Sequence, residues 1–266
     1  MPRVLRRPSP GARWCAIPEI QPRLLAVVPA RGGSRGLPGK NIRPFAGLPL
    51  IAHSILLARM CVGIDRCVVS TDSPEIRKVA LDYGADVPFE RPGNLAHDDT
   101  PLWPVLQHAL SSVEEIEGRS YDYILLLDPT SPARLPNDIS TAFQTLAGNP
   151  EADGIIGVSM PWFNPIWHCV TERDGWMTDL FPEAHSLNRR QDAPPVYRIN
   201  GSLYIWRATF LMQHTEWRKG KLLMHEIPEL RAMSIDDLAE FERAEVLVKA
   251  GLIELPWLEQ NNAHVR

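Results

Sequence analysis

Residues 27–41 read VVPARGGSRGLPGKN, and the reading of this stretch decides how the rest of the chain is understood. A compact apolar run at residues 24–28 (LLAVV) feeds into a segment with four glycines, two arginines and a lysine. An apolar run that stops at such a loop reads as a buried strand opening onto a binding loop. Glycine permits positive φ and close backbone approach, so main-chain N–H groups can turn toward an anion. Arg31, Arg35 and Lys40 add fixed positive charge but no nucleophile. A polyphosphate is the guest that suits this chemistry. Two common phosphate loops are excluded by spacing. A Walker loop requires Gly five residues before its Gly-Lys pair and Ser or Thr after it, and those positions hold Ser34 and Asn41. The GxGxxG fingerprint fails because Arg31 stands where its first glycine belongs.

Working outward, the chain alternates. Residues 48–60 have helical apolar spacing, and Arg66–Ser70 reads as a short strand. Ser73 and Pro74 form a helix start, N-cap followed by proline at the first helical position, and the helix runs to about Tyr83 before Gly84. A short strand is expected at 87–89, a polar loop at 94–100 and a helix over 101–117. Residues 121–128 (YDYILLLD) form a second strong strand, apolar enough for burial on both faces. A helix over 137–147 and strands at 154–160, 196–206 and 222–227 continue the pattern, with a closing amphipathic helix at 237–250. This alternation predicts an α/β fold with a doubly wound, mostly parallel sheet. Ligands in such sheets sit at the carboxyl ends of the strands, where the glycine loop and Asp128 both lie. Between residues 161 and 195 the pattern breaks into a proline- and tryptophan-rich excursion with an Asp174-Gly175 hairpin turn.

The totals narrow the class. With 266 residues, 44% hydrophobic and 23% charged, the chain suits one large α/β domain, expected over 23–266. A net charge of −4 argues against a nucleic-acid binder, and no apolar run approaches a membrane span. Cys15, Cys61, Cys67 and Cys169 show no C-x-x-C pair, so free thiols and a cytoplasmic location are expected. Residues 1–22 hold five prolines and four arginines without periodicity and read as a disordered basic arm lacking the h-region of a secretory signal.

Several stretches together carry a family resemblance: residues 29–42, 70–73 (STDS), 91–96 (RPGNLA), 127–132 (LDPTSP), Arg190-Gln191, 198–204 (RINGSLY) and 234–237. In this order they resemble the acylneuraminate cytidylyltransferases, enzymes that make CMP-sialic acids and related CMP-activated nine-carbon acids. The resemblance covers nearly the whole chain from about residue 24. It implies nucleotidyl transfer from CTP to the anomeric hydroxyl of a 2-keto-3-deoxy sugar acid, releasing pyrophosphate. Catalysis of such a step is mostly positioning and charge neutralisation. Ala30, Arg31, Gly32, Gly33, Ser34, Lys40, Asn41 and Arg91 are the expected nucleotide contacts, with Arg35 either joining them or fixing the loop. Mg²⁺ takes oxygen ligands, commonly one or two carboxylates plus phosphate oxygens, and Asp128 and Asp236 are the expected pair. Arg31, Lys40, Asp128 and Asp236 thus form the expected catalytic set. Arg190, Gln191, Asn200 and Tyr204 are expected to meet the acidic sugar, and the 161–195 excursion to form a homodimer and lend residues to the neighbouring site.

The chain departs from the family pattern at three places. Many sialic-acid members have Gln where Asp128 stands, and a D-x-D pair where this chain has Ser234-Ile235-Asp236; the related Kdo enzymes place an aspartate at the strand end. Residues 100–103 (TPLW) replace small hydroxyl residues that often contact the pyrimidine. Asp128 could alternatively be a turn cap, and Asp237 is read as the cap of the closing helix. Two rival functions stay open: a sugar-1-phosphate nucleotidyltransferase using another nucleoside triphosphate, and a non-catalytic nucleotide-binding homologue.

Overall fold

Alternate residues of strand β1 (Leu24–Pro29) enter two different core layers: Leu24, Ala26 and Val28 one, Leu25 and Val27 the other. All five are at most 1% exposed. A strand without a polar face must be covered on both sides, as parallel α/β sheets are. The computed structural model describes residues 22–33 and 36–258; Ser34, Arg35 and the arm expected at the start of the chain lie outside the described residues.

After β1, β2 (Pro44–Phe45) and β3 (Leu48–Pro49) pair through a turn at Ala46 and Gly47, both with positive φ. Because Leu48 and Pro49 are held in that hairpin, α1 (Leu50–Met60) starts two residues later than its apolar spacing suggests. Next come β4 (Arg66–Ser70) and α2 (Pro74–Asp82), whose N-cap Ser73 accepts from the Ile76 N–H at 3.4 Å. The strand expected at 87–89 does not form. Asp86 makes one parallel bridge to Val68, and Pro88, having no N–H for a ladder, ends the pairing. Then follow α3 (Leu102–Glu117), β5 (Tyr123–Leu126), α4 (Pro136–Ala147) and β6 (Gly154–Ser159).

The excursion contains α5 (Pro165–His168) and a separate hairpin, β7 (Val170–Arg173) with β8 (Trp176–Asp179), turning at Asp174-Gly175. The chain returns through β9 (Arg198–Arg207), α6 (Ala208–Gln213), β10 (Leu222–Glu226) and α7 (Leu238–Lys249). Asp237 caps α7, its carboxylate accepting from the Glu240 N–H at 2.8 Å.

The six-stranded sheet has the order β10-β6-β9-β5-β1-β4. Five strands run one way and β9 runs against its neighbours β5 and β6. Residues of α1, α2 and α4 pack in one apolar layer and those of α3 and α6 in the other, so helices cover both faces. From β1 the chain crosses to β4 on one side and later returns to β5 on the other. The carboxyl ends of β1 and β5 therefore border the point where the winding reverses, the crevice in which open α/β sheets bind ligands. No helix among the described residues is long and apolar enough to cross a membrane.

Candidate active site

At that crevice the glycine loop is held by side chains from distant segments. The Gly32 N–H donates to Asp72 Oδ1 at 2.9 Å, and the Asn41 amide donates to the Arg31 carbonyl at 3.1 Å. Gly36 passes so close to the main chain of Asp236 that a Cβ there would lie 2.2 Å from its carbonyl oxygen. Only glycine allows this approach, and it joins the loop to the segment before α7. Lys40 reinforces the same junction, donating to the Ile235 carbonyl at 2.7 Å and to Asp236 Oδ1 at 3.0 Å.

The loop forms one wall of a cavity of about 360 Å³, lined by Arg31, Lys40, Asn41, Arg91, Asp128 and Asp236 among others. Arg31 pairs with Asp98 across it. Arg91 is 5% exposed and donates to Ser70 Oγ at 3.1 Å and to the Ser70 carbonyl at 2.5 Å. Burial pulls its pKa down to about 10, against the opposing charge of Asp72. Burial alone would raise the Asp236 pKa; the hydrogen bond and charge of Lys40, with the Ser234 hydroxyl, outweigh it and hold the carboxyl below its ordinary value. The apolar part of the lining comes from Leu95, Leu102 and Val105, a surface on which a flat base can lie.

Asp128 follows the last paired residue of β5 by two positions. Its Oδ1 accepts from the Thr130 N–H at 3.0 Å and the Thr130 hydroxyl at 2.9 Å, the turn-capping use of aspartate. The carboxylate still lines the cavity, so capping the turn and facing the ligand are compatible. It also lines a second cavity of about 330 Å³, with Leu102 and Thr130 shared between the two. The second cavity is walled by Trp103, Leu106, Tyr204, Trp206 and Trp217. Among the described residues no lysine or arginine lines it, although Arg218 stacks over the Trp217 ring at 4.2 Å. Burial and the Asp128 charge raise the Tyr204 pKa.

The structure brings Arg31, Lys40, Asn41, Arg91, Asp128 and Asp236 to one cavity and Tyr204 to its neighbour. Ala30 stands beside them as backbone, its N–H donating to the Ser70 carbonyl at 2.9 Å. Three expectations are not met within this chain. The Gly32 N–H is committed to Asp72 rather than turned toward the cavity. Asn200 is 2% exposed; its amide donates to Ser159 Oγ at 2.9 Å and accepts from the Ser202 N–H at 3.0 Å. That holds a β-bulge between β6 and β9 and leaves Asn200 outside both cavities. Arg190 and Gln191 line a different groove of about 410 Å³, with Trp162, Phe163 and Asn164. Sequence reasoning missed Asp72, Asp98 and Trp217. Asp72 sat inside a motif already singled out, whereas Asp98 lay in an ordinary polar loop.

For a metal, Asp128 and Asp236 offer hard oxygen donors in the lining of one cavity. Among the described residues no group of three or more His, Cys, Asp or Glu side chains could hold one. Two carboxylates with room for phosphate oxygens is the donor set that Mg²⁺ accepts, and too poor for Zn²⁺.

A nucleotide-sized crevice lined by a cationic loop and two carboxylates, on a doubly wound sheet, defines a nucleotidyltransferase site. The chain belongs to the cytidylyltransferase family, whose model matches residues 25–263, and it is a nucleotidyltransferase. It is 34% identical over 232 residues to the CMP-N,N'-diacetyllegionaminic acid synthase of Legionella pneumophila, covering 85% of this chain and 97% of that one. It is 30% identical to the pseudaminic acid cytidylyltransferase of Campylobacter jejuni, covering 85% and 96%. Among solved structures, CMP:2-keto-3-deoxy-manno-octonic acid synthetase complexed with CTP has the same fold, with TM-score 0.66 at 18% identity over 86% of this chain and 99% of that one.

Proposed function

We propose that this chain transfers a cytidylyl group from CTP to a nonulosonic acid, a nine-carbon 2-keto-3-deoxy sugar acid. The observation that carries the reading is the place of Asp128, on the wall shared by a cation-lined cavity and an aromatic one. The first suits a nucleoside triphosphate. Arg31 and Lys40 reach the phosphates once these displace Asp98 and Asp236 as their partners, while Arg91, Leu95 and Leu102 meet the base and sugar. The second suits the acceptor, because acylamino and methyl groups favour aromatic walls. The anomeric oxygen attacks the α-phosphorus, the bond from that phosphorus to the bridging oxygen of the β-phosphate breaks, and pyrophosphate leaves. The hydroxyl proton passes to solvent. Asp128 and Asp236 would hold Mg²⁺, which when bound neutralises phosphate charge.

An acidic acceptor needs a cation for its carboxylate, and the aromatic cavity has none in its lining. We assign that cation to Arg190 of a second copy. The excursion that carries it exposes Trp162 at 79%, Trp176 at 77% and Met177 at 76%, an apolar surface large for a monomer to leave open. The homodimer completes the site in this reading. Pyrophosphate release from CTP in the presence of nonulosonic acids tests it directly.

A further inference from the structure

The reading above gives Arg31, Lys40, Arg91, Asp128 and Asp236 their work and leaves the most deeply buried arginine among the described residues without any. Arg134 is 1% exposed. It follows the Asp128 turn by six residues, and its guanidinium ties together three parts of the site. One terminal nitrogen donates to the Ser202 carbonyl on β9 at 2.8 Å. The other donates to Ser54 Oγ on α1 at 2.7 Å and to the Asp128 carbonyl at 2.8 Å. Ser202 lies two residues before Tyr204, so the same side chain grips the residue between the cavities and the strand that walls the acceptor cavity. Among the described residues Arg134 has no carboxylate in ion-pair distance, and its Nε is one of the few buried polar atoms without a partner, as are Ser131 Oγ and Ser202 Oγ.

A buried cation held by carbonyls and a hydroxyl, with one nitrogen unpartnered and the Asp128 and Asp138 carboxylates acting on it only from beyond ion-pair distance, costs stability that an apolar core would keep. Buried features that break the rules of packing cluster where function needs them. We infer that Arg134 is the positioning residue for Asp128: by holding the Asp128 carbonyl against β9 it fixes where the carboxylate stands between nucleotide and acceptor. The carboxylate cannot be aimed by Thr130 alone, since Asp128 and Thr130 belong to one turn and would move together. Main-chain bonds tie the turn to β1 through Leu127 and Val27 and to the segment before α7 through Thr130 and Ile235; the guanidinium supplies its link to β9. A lysine in its place carries the charge but, with a single nitrogen on a shorter and rounder head, cannot span the two carbonyls.

The inference rests on the functional reading above, and a double-mutant cycle separates the two. Steady-state pyrophosphate release is measured for wild type, Arg134→Lys, Asp128→Asn and the double variant, at a temperature where circular dichroism shows each fully folded. Activity of the wild type tests the reading itself. Given that activity, Arg134→Lys is expected to lower kcat by about 30-fold or more while KM for CTP stays within about threefold. In the Asp128→Asn background the same change should cost less than about threefold, because its effect is already spent. Arg134→Gln, neutral but with two N–H donors, replaces the lysine variant if that does not fold. A kcat near wild type, a loss confined to KM, or losses that multiply undiminished in the double variant would each overturn the assignment. So would failure of both variants to fold at any temperature, which would make Arg134 a scaffold residue alone.

Discussion

Under the proposed function Asp128 carries two tasks. Oδ1 closes the turn through both the N–H and hydroxyl of Thr130, while the carboxylate remains part of the cavity wall. Asparagine can make the same turn bonds through its side-chain oxygen but brings no charge to phosphate or metal. Asp128→Asn should therefore melt within about 3 °C of wild type, which is a small stability change for a chain of this size. Its turnover should fall by about 100-fold, the scale of losing one preorganised electrostatic contact. Thermal unfolding read beside pyrophosphate release checks both halves; full turnover would remove Asp128 from the chemistry. The glycine loop marked Lys40, a strand end marked Asp128, and the family resemblance marked Asp236. The partners were not legible. Gly32 meets Asp72 across 40 residues and Arg31 meets Asp98 across 67, and nothing local marks a carboxylate that the fold will bring back to a loop. Asn200 went the other way, since a motif placed it near the site and the bulge between β6 and β9 took its amide for the sheet.

Elements were read well wherever one signal acted alone. The Ser73-Pro74 start of α2, the Asp237 cap of α7 and the Asp174-Gly175 turn are local chemistry, and each forms as expected. The reading failed where neighbours compete: the 87–89 strand lost to Pro88, and the first turn expected of α1 lost to a hairpin. Helix α1 also contains a buried pH-sensitive group. His53 is fully buried, with Nε2 against the Phe45 carbonyl at 2.9 Å and Nδ1 accepting from the Trp257 indole N–H at 2.9 Å. Burial lowers its pKa from 6.5 to about 4, although the Phe45 and Leu48 carbonyls oppose the shift. The unfolded chain thus takes up a proton near pH 6.5 that the folded chain refuses until about pH 4. Stability is complete above the higher value and falls as pH drops through this window, by about 3 kcal/mol in all from this group. Urea unfolding at pH 7.5 and pH 4.5 measures the fall, and His53→Gln should lose that share of it. An equal pH slope in both proteins would assign the effect elsewhere.

At the scale of the molecule, the reversal of winding between β1 and β5 puts the glycine loop and Asp128 side by side; strand–helix alternation placed both at the carboxyl ends of strands, while the strand order that makes them neighbours was not legible. Assembly was less legible, because a tryptophan-rich stretch can also be a loop packed on its own domain, and the expectation of a dimer came mainly from the family resemblance. The exposure of Trp162, Trp176 and Met177 supports the proposed shared surface. Trp176→Asp combined with Met177→Asp should convert the dimer to monomer in sedimentation velocity, with turnover falling by more than about tenfold as Arg190 leaves the neighbouring site. A monomeric variant of full activity would place the acceptor's cation within one chain. The central claim, a cytidylyl transfer to a nonulosonic acid, is tested most directly by pyrophosphate release from each of the four nucleoside triphosphates. Mg²⁺ is supplied, together with N,N'-diacetyllegionaminic, pseudaminic, N-acetylneuraminic and 2-keto-3-deoxy-octonic acids and several hexose 1-phosphates. The account predicts release with CTP and one or more of the nine-carbon acids, and none with the hexose phosphates. Release with another triphosphate and a sugar phosphate, or nucleotide binding without any release, would contradict it.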